Sequence, residues 1–213
     1  MDEAVGPLVP REPIAVVRLD DLSPSVGLAS ALYDGGIRAV EFTLTNRAAF
    51  TAIEQVRDAV PGLAVGAGTV LTTADARAGL AAGAQFLVTP TVEPDVIDAA
   101  GEAGVPAVAG AMTPTELLSA GRRGARLVKL FPAGRLGPGY VRDVLAPLPA
   151  LRLVPTGGIG AGNAAEFLRA GAFTVAIGSN LVAPDVAARG AWQELRERAA
   201  RCVAACQAGD VRR

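Results

Sequence analysis

Eight short apolar runs divide this chain, and each is followed by a polar turn and an alanine-rich stretch with helical spacing. Two such stretches read "PSVGLASALYDGG" and "TPTELLSAGRRG". Continuously apolar strands that alternate with helices form parallel sheets whose outer face is covered by those helices. We expect the strands in the runs 14–19, 38–44, 63–68, 85–90, 106–111, 126–132, 151–158 and 174–179.

A glycine recurs just before many of these apolar runs. A glycine at the end of a helix adopts a left-handed conformation without steric cost, after which the chain can enter a strand. The pattern therefore predicts that five helices end at Gly36, Gly83, Gly104, Gly124 and Gly171.

The regular repeat of these units decides the expected fold class. Eight strand–helix units in 213 residues favour an α/β protein, a compact single-domain (β/α)8 TIM barrel with parallel strands. No linker or shift in composition divides the chain, so one domain should span residues 1–213. A doubly wound open sheet is the alternative, because periodicity alone does not show whether a sheet closes.

The charge balance limits the partners. The net charge is −1 and like charges form no long block, which argues against a nucleic acid or an anionic membrane surface. The acidic start "MDEAVGPLVPREP" does not resemble a signal peptide, and no apolar stretch has the length of a membrane span. We expect a cytoplasmic protein.

The residue types present also limit the chemistry. The chain contains no histidine, and its two cysteines, Cys202 and Cys206, lie four residues apart. Such a pair shares one helix face and is expected to pack there as small apolar residues. The usual transition-metal sites are therefore not expected, although a magnesium site built from Asp and Glu stays open. Acid–base chemistry would fall to carboxylates, lysine or tyrosine.

Lys129, in "RRGARLVKLFPAG", is the only lysine of the chain. It lies in an apolar strand, where burial disfavours the ammonium form and favours a neutral amine that can attack a carbonyl group. Arginine cannot perform this reaction because it stays charged. The alternative is an interior lysine that only pairs with a carboxylate.

Glu41 is the only acidic residue inside any of the expected strands. Adjacent strand residues point to opposite faces, so either Glu41 or Phe42 faces the barrel interior. A buried carboxylate must be paired or used in a reaction. A general acid/base beside Lys129 and a structural ion pair with Lys129 would share one geometry, so both interpretations stay open.

Glycine-rich turns follow the last two expected strands, in "TGGIGAG" and "IGSN". Such turns expose backbone amides to an anion, and the loops after strands seven and eight are the common phosphate site of TIM barrels. Gly157, Gly158, Gly178 and Ser179 are therefore candidate phosphate-binding residues. Residues 160–165 fit a relaxed dinucleotide fingerprint, but no acidic residue ends the next strand, so we discount this match.

Six motifs carry a resemblance to a known family: "GGIRAVEFTLTN", "VGAGTVL", "PAVAGAMTPTE", "LVKLFPAG", "LVPTGGI" and "IGSNLV". Over residues 10–184 the chain resembles the bacterial 2-keto-3-deoxy-6-phosphogluconate aldolases, the KHG/KDPG aldolase family. The resemblance implies a trimeric class I aldolase that needs no metal or other cofactor. It would cleave its phosphorylated 2-keto acid to pyruvate and glyceraldehyde 3-phosphate, and several members also act on 4-hydroxy-2-oxoglutarate.

Site residues are implied position by position. The resemblance makes Lys129 the Schiff-base nucleophile and Glu41 the proton-transfer residue, acting through a water molecule. The remaining implied contacts are Thr69 with the pyruvyl carboxylate, Pro90 and Phe131 as apolar walls, Thr156 between the two ends of the site, and Gly157, Gly158 and Ser179 with the phosphate.

One position departs from the family pattern. Many members carry an arginine four residues after the glutamate that holds the substrate carboxylate, whereas this chain has Thr45. Arg18 matches an arginine of other members and could supply the charge, with Arg47 as a second choice. Asn180 stands where some members carry Trp or Ala. The substrate could therefore also be the phosphogalactonate-derived ketoacid or an unphosphorylated hydroxyketoacid.

Two other classes remain open from sequence alone. A phosphate-binding barrel synthase or isomerase would share the glycine turns without using Lys129 as an amine. A catalytically silent barrel would use Lys129 and Glu41 only as a structural pair.

Overall fold

The computed structural model describes residues 3–208 and places eight parallel strands in one sheet. Strands β1 to β7 pair in chain order, β1 also pairs with β8, and an isolated parallel bridge between Thr156 and Ala176 joins the residue after β7 to β8. The sheet is therefore a barrel, and the TIM-barrel prediction is confirmed. The strands are β1 Ile14–Val17, β2 Ala39–Thr43, β3 Ala64–Gly68, β4 Leu87–Val88, β5 Ala107–Ala111, β6 Leu127–Leu130, β7 Leu153–Pro155 and β8 Ala176–Ile177.

Helices surround the barrel. One helix follows each of the first seven strands and two follow the last: α1 Ser25–Asp34, α2 Ala49–Ala59, α3 Thr73–Ala81, α4 Pro94–Glu102, α5 Pro114–Arg123, α6 Ala133–Leu145, α7 Ala164–Arg169, α8 Pro184–Ala188 and α9 Trp192–Ala208. No helix among residues 3–208 has the length and apolar character needed to cross a bilayer.

The prediction that five helices end at glycines is confirmed. Gly36, Gly83, Gly104, Gly124 and Gly171 all have positive φ, between +72° and +113°. Each lies between the end of a helix and the next strand, where a residue with a Cβ would be strained.

The two cysteines also lie as expected. Cys202 and Cys206 are free, and both are buried on one face of α9. Burial raises the pKa of the Cys206 thiol to about 12, which keeps it neutral and unreactive. The interpretation of the two residues as packed apolar side chains is confirmed.

Helix α5 begins with a capping box. The Thr113 hydroxyl accepts from the amide of Glu116, and the Glu116 carboxylate accepts from the amide of Thr113 at 2.8 Å. Replacing Thr113 by alanine should lower the free energy of unfolding by about 1 kcal/mol, as urea titration would measure. Thr115→Ala is the matched control, because Thr115 is exposed in the same helix. Equal stabilities of the two variants would contradict the cap.

The pleat of the strands divides the apolar residues into two cores. Outward side chains pack under the helices, whereas the inward set fills the barrel: Ile14, Val16, Ala39, Ala64, Phe86, Val88, Val108, Leu127, Val154 and Ala176. Phe86 occupies the space beside Gly66, where a Cβ would lie 2.4 Å from its ring. Within residues 3–208, Glu41 and Lys129 are the only buried charged side chains. Two ionisable side chains therefore share the buried interior of the barrel.

Candidate active site

Lys129 and Glu41 face each other across the barrel interior. Lys129 is 4% exposed on β6, in register with Gly110 of β5 and Val154 of β7. Glu41 is 1% exposed on β2, and its Oε1 lies 3.7 Å from the Lys129 Nζ. Phe42 packs in the outer core under the helices. The structure therefore settles which of the two strand residues points inward.

The Glu41 carboxylate lies in a site that is costly for a charge. Its Oε1 has no hydrogen-bond partner among the described residues, since 3.7 Å exceeds hydrogen-bond range. Burial raises the pKa of Glu41, and the charges of Lys129 and Arg18 oppose that shift only in part. Gly68 makes room for the carboxylate, because a Cβ there would lie 2.9 Å from the Glu41 Cδ. A carboxyl group with a raised pKa and a free oxygen suits proton transfer.

The amine opens into a cavity of about 260 Å³ at the carboxyl ends of the strands. The Phe131 ring lies between Lys129 and the glycine turn, with its centroid 5.5 Å from the Lys129 Nζ. A Cβ on Gly157 would lie 3.1 Å from the same ring. The cavity is lined by Val16, Arg18, Lys129, Phe131, Thr156, Gly157, Gly158, Ile159, Gly178, Ser179, Asn180, Val182 and Pro184.

Two turns line the end of the cavity opposite the Lys129 amine. After β7, Gly157 and Gly158 have successive left-handed conformations, with φ of +86° and +75°. After β8, Gly178 accepts from the amides of Leu181 and Val182. Within residues 3–208, the amides of Gly158, Ile159, Ser179 and Asn180 donate to no backbone acceptor. Unpaired amides at adjacent turns can bind an anion.

The structure brings most of the predicted site residues together. Seven of them line the cavity beside Lys129, with Glu41 directly behind the amine: Arg18, Phe131, Thr156, Gly157, Gly158, Gly178 and Ser179.

Besides Glu41, three predicted residues do not line the cavity. Thr45 is exposed, and its hydroxyl lies 2.9 Å from that of Thr43. Thr69 follows β3 with a φ of +57°, an uncommon conformation for a β-branched residue. Pro90 is half-buried after β4. Arg47, the second candidate for carboxylate binding, pairs instead with Asp75 at 2.5 Å.

A family comparison accounts for this arrangement. The model of the family described as KDPG and KHG aldolase matches residues 9–198. The chain belongs to the KDPG and KHG aldolase family. Members of this family are aldolases, and the chain is therefore a carbon–carbon lyase.

Two relatives of this aldolase are named for different substrates. A probable 2-dehydro-3-deoxy-6-phosphogalactonate aldolase of Rhizobium meliloti (strain 1021) is 36% identical over 210 residues, which cover 98% of this chain and 97% of the relative. A 2-dehydro-3-deoxy-phosphogluconate aldolase of Treponema pallidum (strain Nichols) is 42% identical over 156 residues, covering 73% and 74%.

A solved structure shows the same fold as this aldolase. It is KDPG aldolase from Legionella pneumophila with pyruvate captured at low pH as a covalent carbinolamine intermediate. The TM-score is 0.83 at 28% identity, and the match covers 90% of this chain and 94% of that one.

Several residues of the aldolase cavity were missed by sequence reasoning. Val16 could have been found from the pleat, because it lies two residues before Arg18 on the same strand face. Ile159 and Val182 belong to loops and Pro184 is the first residue of the short helix α8, so no periodic signal marks them. Among residues 3–208, no three His, Cys, Asp or Glu side chains form a group that could hold a metal ion.

Proposed function

We propose that the chain is a class I aldolase that cleaves 2-keto-3-deoxy-6-phosphogluconate to pyruvate and glyceraldehyde 3-phosphate. One observation carries this proposal: the only lysine of the chain is buried in the barrel wall, opens to the cavity and lies 3.7 Å from a buried glutamate. A buried amine beside a proton-transfer group is what Schiff-base chemistry requires.

The reaction begins with attack of the neutral Lys129 amine on the C2 ketone. Loss of water from the resulting carbinolamine leaves an iminium bonded to Nζ. Glu41, acting through a water molecule, takes the proton of the C4 hydroxyl, and the C4–O bond becomes the carbonyl of the aldehyde. The electron pair of the broken C3–C4 bond moves into the iminium and forms an enamine.

Glu41 then returns the proton to C3 of the enamine, and hydrolysis of the new iminium releases pyruvate. The cycle needs no metal or other cofactor, because the protonated imine accepts the electron pair. The raised pKa of Glu41 suits a group that must both take and return this proton.

The substrate's two charged ends are assigned to opposite sides of Lys129. Arg18 lines the cavity, and its positive charge lowers the pKa of Glu41. It forms no ion pair among residues 3–208, so it is free to hold the substrate carboxylate. Thr45 and Thr69 are assigned near the carboxylate from the family resemblance, with Pro90 as an apolar wall. The turns that contain Gly157, Gly158, Gly178 and Ser179 would bind the phosphate.

The phosphogalactonate-derived ketoacid is the second candidate substrate, because the Rhizobium meliloti relative matches almost the whole chain. A further candidate is 4-hydroxy-2-oxoglutarate, which would give pyruvate and glyoxylate. The family resemblance also supports a homotrimer that works in the cytoplasm.

Steady-state cleavage of the three ketoacids, coupled to pyruvate detection, tests the proposal. We expect KM to be at least about tenfold lower for a phosphorylated ketoacid than for hydroxyoxoglutarate, because charge-assisted hydrogen bonds to the turns add binding energy. Equal KM values would contradict the phosphate assignment, and no pyruvate from any substrate would contradict the aldolase. Light scattering on the same preparation checks the trimer.

A further inference from the structure

Three consecutive carbonyl groups of the turn after β7 are each held by a hydrogen bond. The Gly157 carbonyl accepts from the amide of Gly134 at 2.8 Å. The Gly158 carbonyl accepts from Asn163 Nδ2 at 3.0 Å, and the Ile159 carbonyl accepts from Asn180 Nδ2 at 2.9 Å. Two of the three donors are therefore asparagine side chains.

The orientation of each carbonyl fixes the orientation of the next amide. In a planar trans peptide the C=O of one residue and the N–H of the next point in opposite directions. A bond to the Gly158 carbonyl therefore aims the Ile159 amide, and a bond to the Gly157 carbonyl aims the Gly158 amide. These two amides donate to no backbone acceptor among residues 3–208, and both residues line the cavity.

Asn163 holds the turn from within its own loop. Its Oδ1 accepts from the amide of Gly160 at 2.9 Å, while its Nδ2 donates to Gly158. The two contacts settle which end of the side-chain amide is the oxygen. The Gly160 amide is thereby occupied, which leaves the Gly158 and Ile159 amides for a ligand.

Asn180 connects the two turns. It belongs to the turn after β8, lines the cavity, and donates across to the turn after β7. Its own backbone amide and that of Ser179 donate to no backbone acceptor within the described part of the chain. The bond therefore joins the turn that carries the Gly158 and Ile159 amides to the turn that carries the Ser179 and Asn180 amides. Within the first turn it fixes the peptide whose amide, that of Gly160, already donates to Asn163.

Restraining the conformation of this turn before a ligand arrives has a physical reason. Glycine has the largest conformational freedom to lose on folding, and Gly157 and Gly158 are consecutive in the turn. An anion bound by backbone amides needs those amides aimed before it arrives, because each freely rotating peptide would add an entropic cost to binding.

We propose that Asn163 and Asn180 are positioning residues that hold the turn amides in place for the substrate phosphate. This inference rests on the phosphate assignment in the proposed function. The two side chains act through the backbone, because their amide groups are engaged with the turn carbonyls.

Alanine variants of both residues test the proposal. Asn163→Ala and Asn180→Ala should each weaken binding of inorganic phosphate about tenfold, as calorimetry would measure. Asn163→Ala frees the peptide that carries the Ile159 amide, and Asn180→Ala removes the bond that joins the two turns. The KM for a phosphorylated ketoacid should rise by the same factor. The kcat, and the kcat/KM for hydroxyoxoglutarate, should stay within about twofold, since neither side chain touches the amine or Glu41.

Asn46→Ala is the matched control. Asn46 also joins two loops, since its Nδ2 donates to the Asp20 carbonyl at 2.8 Å and its Oδ1 accepts from the amide of Ala48 at 3.0 Å. It does not line the cavity. This variant should lose comparable stability in a thermal melt but keep the affinity for phosphate.

Each outcome decides the proposal. Unchanged phosphate affinity in both variants, or an equal loss with both classes of substrate, would overturn it. Because Asn180 is exposed, Asn180→Ala should fold even if Asn163→Ala does not. Wild-type protein that binds phosphate but yields no pyruvate would refute the aldolase assignment alone. Wild-type protein that traps pyruvate on Lys129 but binds no phosphate would refute the positioning role alone.

Discussion

Replacing Lys129 by methionine should abolish ketoacid cleavage, with a loss in kcat of at least about 10⁴-fold. Methionine fills most of the space of the lysine side chain without an amine, so the barrel interior stays packed while the nucleophile is removed. Lys129→Arg places a permanent positive charge beside Glu41 but has no amine that can form an imine. Both variants should be inactive if the amine is the nucleophile, and coupled pyruvate detection measures this.

The single lysine makes a second measurement unusually clear. Borohydride reduction in the presence of pyruvate should attach one pyruvyl group per wild-type chain, and peptide mass mapping should place it on Lys129. Neither variant should gain this mass on the peptide that contains residue 129, because Lys129 is the only lysine of the chain. Wild-type protein without the adduct would refute the aldolase mechanism and favour a phosphate-binding synthase or isomerase.

The fold was predictable because its signal is local and repeated. Each apolar run produced a strand, yet the strands are shorter than the runs; the run 85–90 gives only Leu87–Val88. The pairing ends near Pro90, which has no amide hydrogen for a ladder. Closure of the barrel was predicted only from the number of repeated units, because the pairing between Thr156 and Ala176 that completes it leaves no local pattern in the sequence.

The site was predictable where a residue type conflicts with its surroundings. A lysine and a glutamate in apolar strands stand out in the sequence, and the structure places them 3.7 Å apart. The asparagine contacts of the phosphate turn gave no such signal, because a side chain that bonds a distant backbone carbonyl has no sequence period. Thr69 was assigned from the resemblance alone, and its left-handed φ could not be expected for a threonine.

Replacing Glu41 by glutamine should lower kcat by at least about 100-fold, the usual contribution of a positioned acid or base. Glutamine keeps the shape of the side chain beside Gly68 but cannot take the proton of the C4 hydroxyl. The amine remains, so borohydride should still trap pyruvate on Lys129. Exchange of the pyruvate methyl hydrogens in D₂O, followed by NMR, should slow as much as cleavage, since both need proton transfer at C3.

Glu54→Gln is the matched control, because it makes the same chemical change on the exposed side of α2. It should keep full activity. A Glu41→Gln variant that cleaves substrate at the wild-type rate would show that the buried pair is structural only. Loss of the pyruvate adduct together with the activity would instead place Glu41 in imine formation.

The pH dependence gives an independent check with a defined sign. Burial raises the pKa of Glu41, so the carboxylate needed as the base is lost at a higher pH than for a solvent-exposed glutamate. The acid limb of the wild-type kcat profile should be shifted upward accordingly, and it should vanish from the residual activity of Glu41→Gln.

The raised pKa of Glu41 also makes the folding stability depend on pH. The sign of this dependence is opposite to that of a salt-bridged carboxylate, whose pKa is lowered in the folded state. The folded state binds the Glu41 proton more tightly than the unfolded state, so the stabilising contribution is complete below the unfolded-state pKa and is lost as pH rises through the folded-state pKa. Glutamine does not titrate, so the stability of Glu41→Gln lacks this pH dependence. Its melting temperature should therefore rise relative to that of the wild type as pH increases through this range, and a falling difference would show that pairing with Lys129 outweighs the cost of burial.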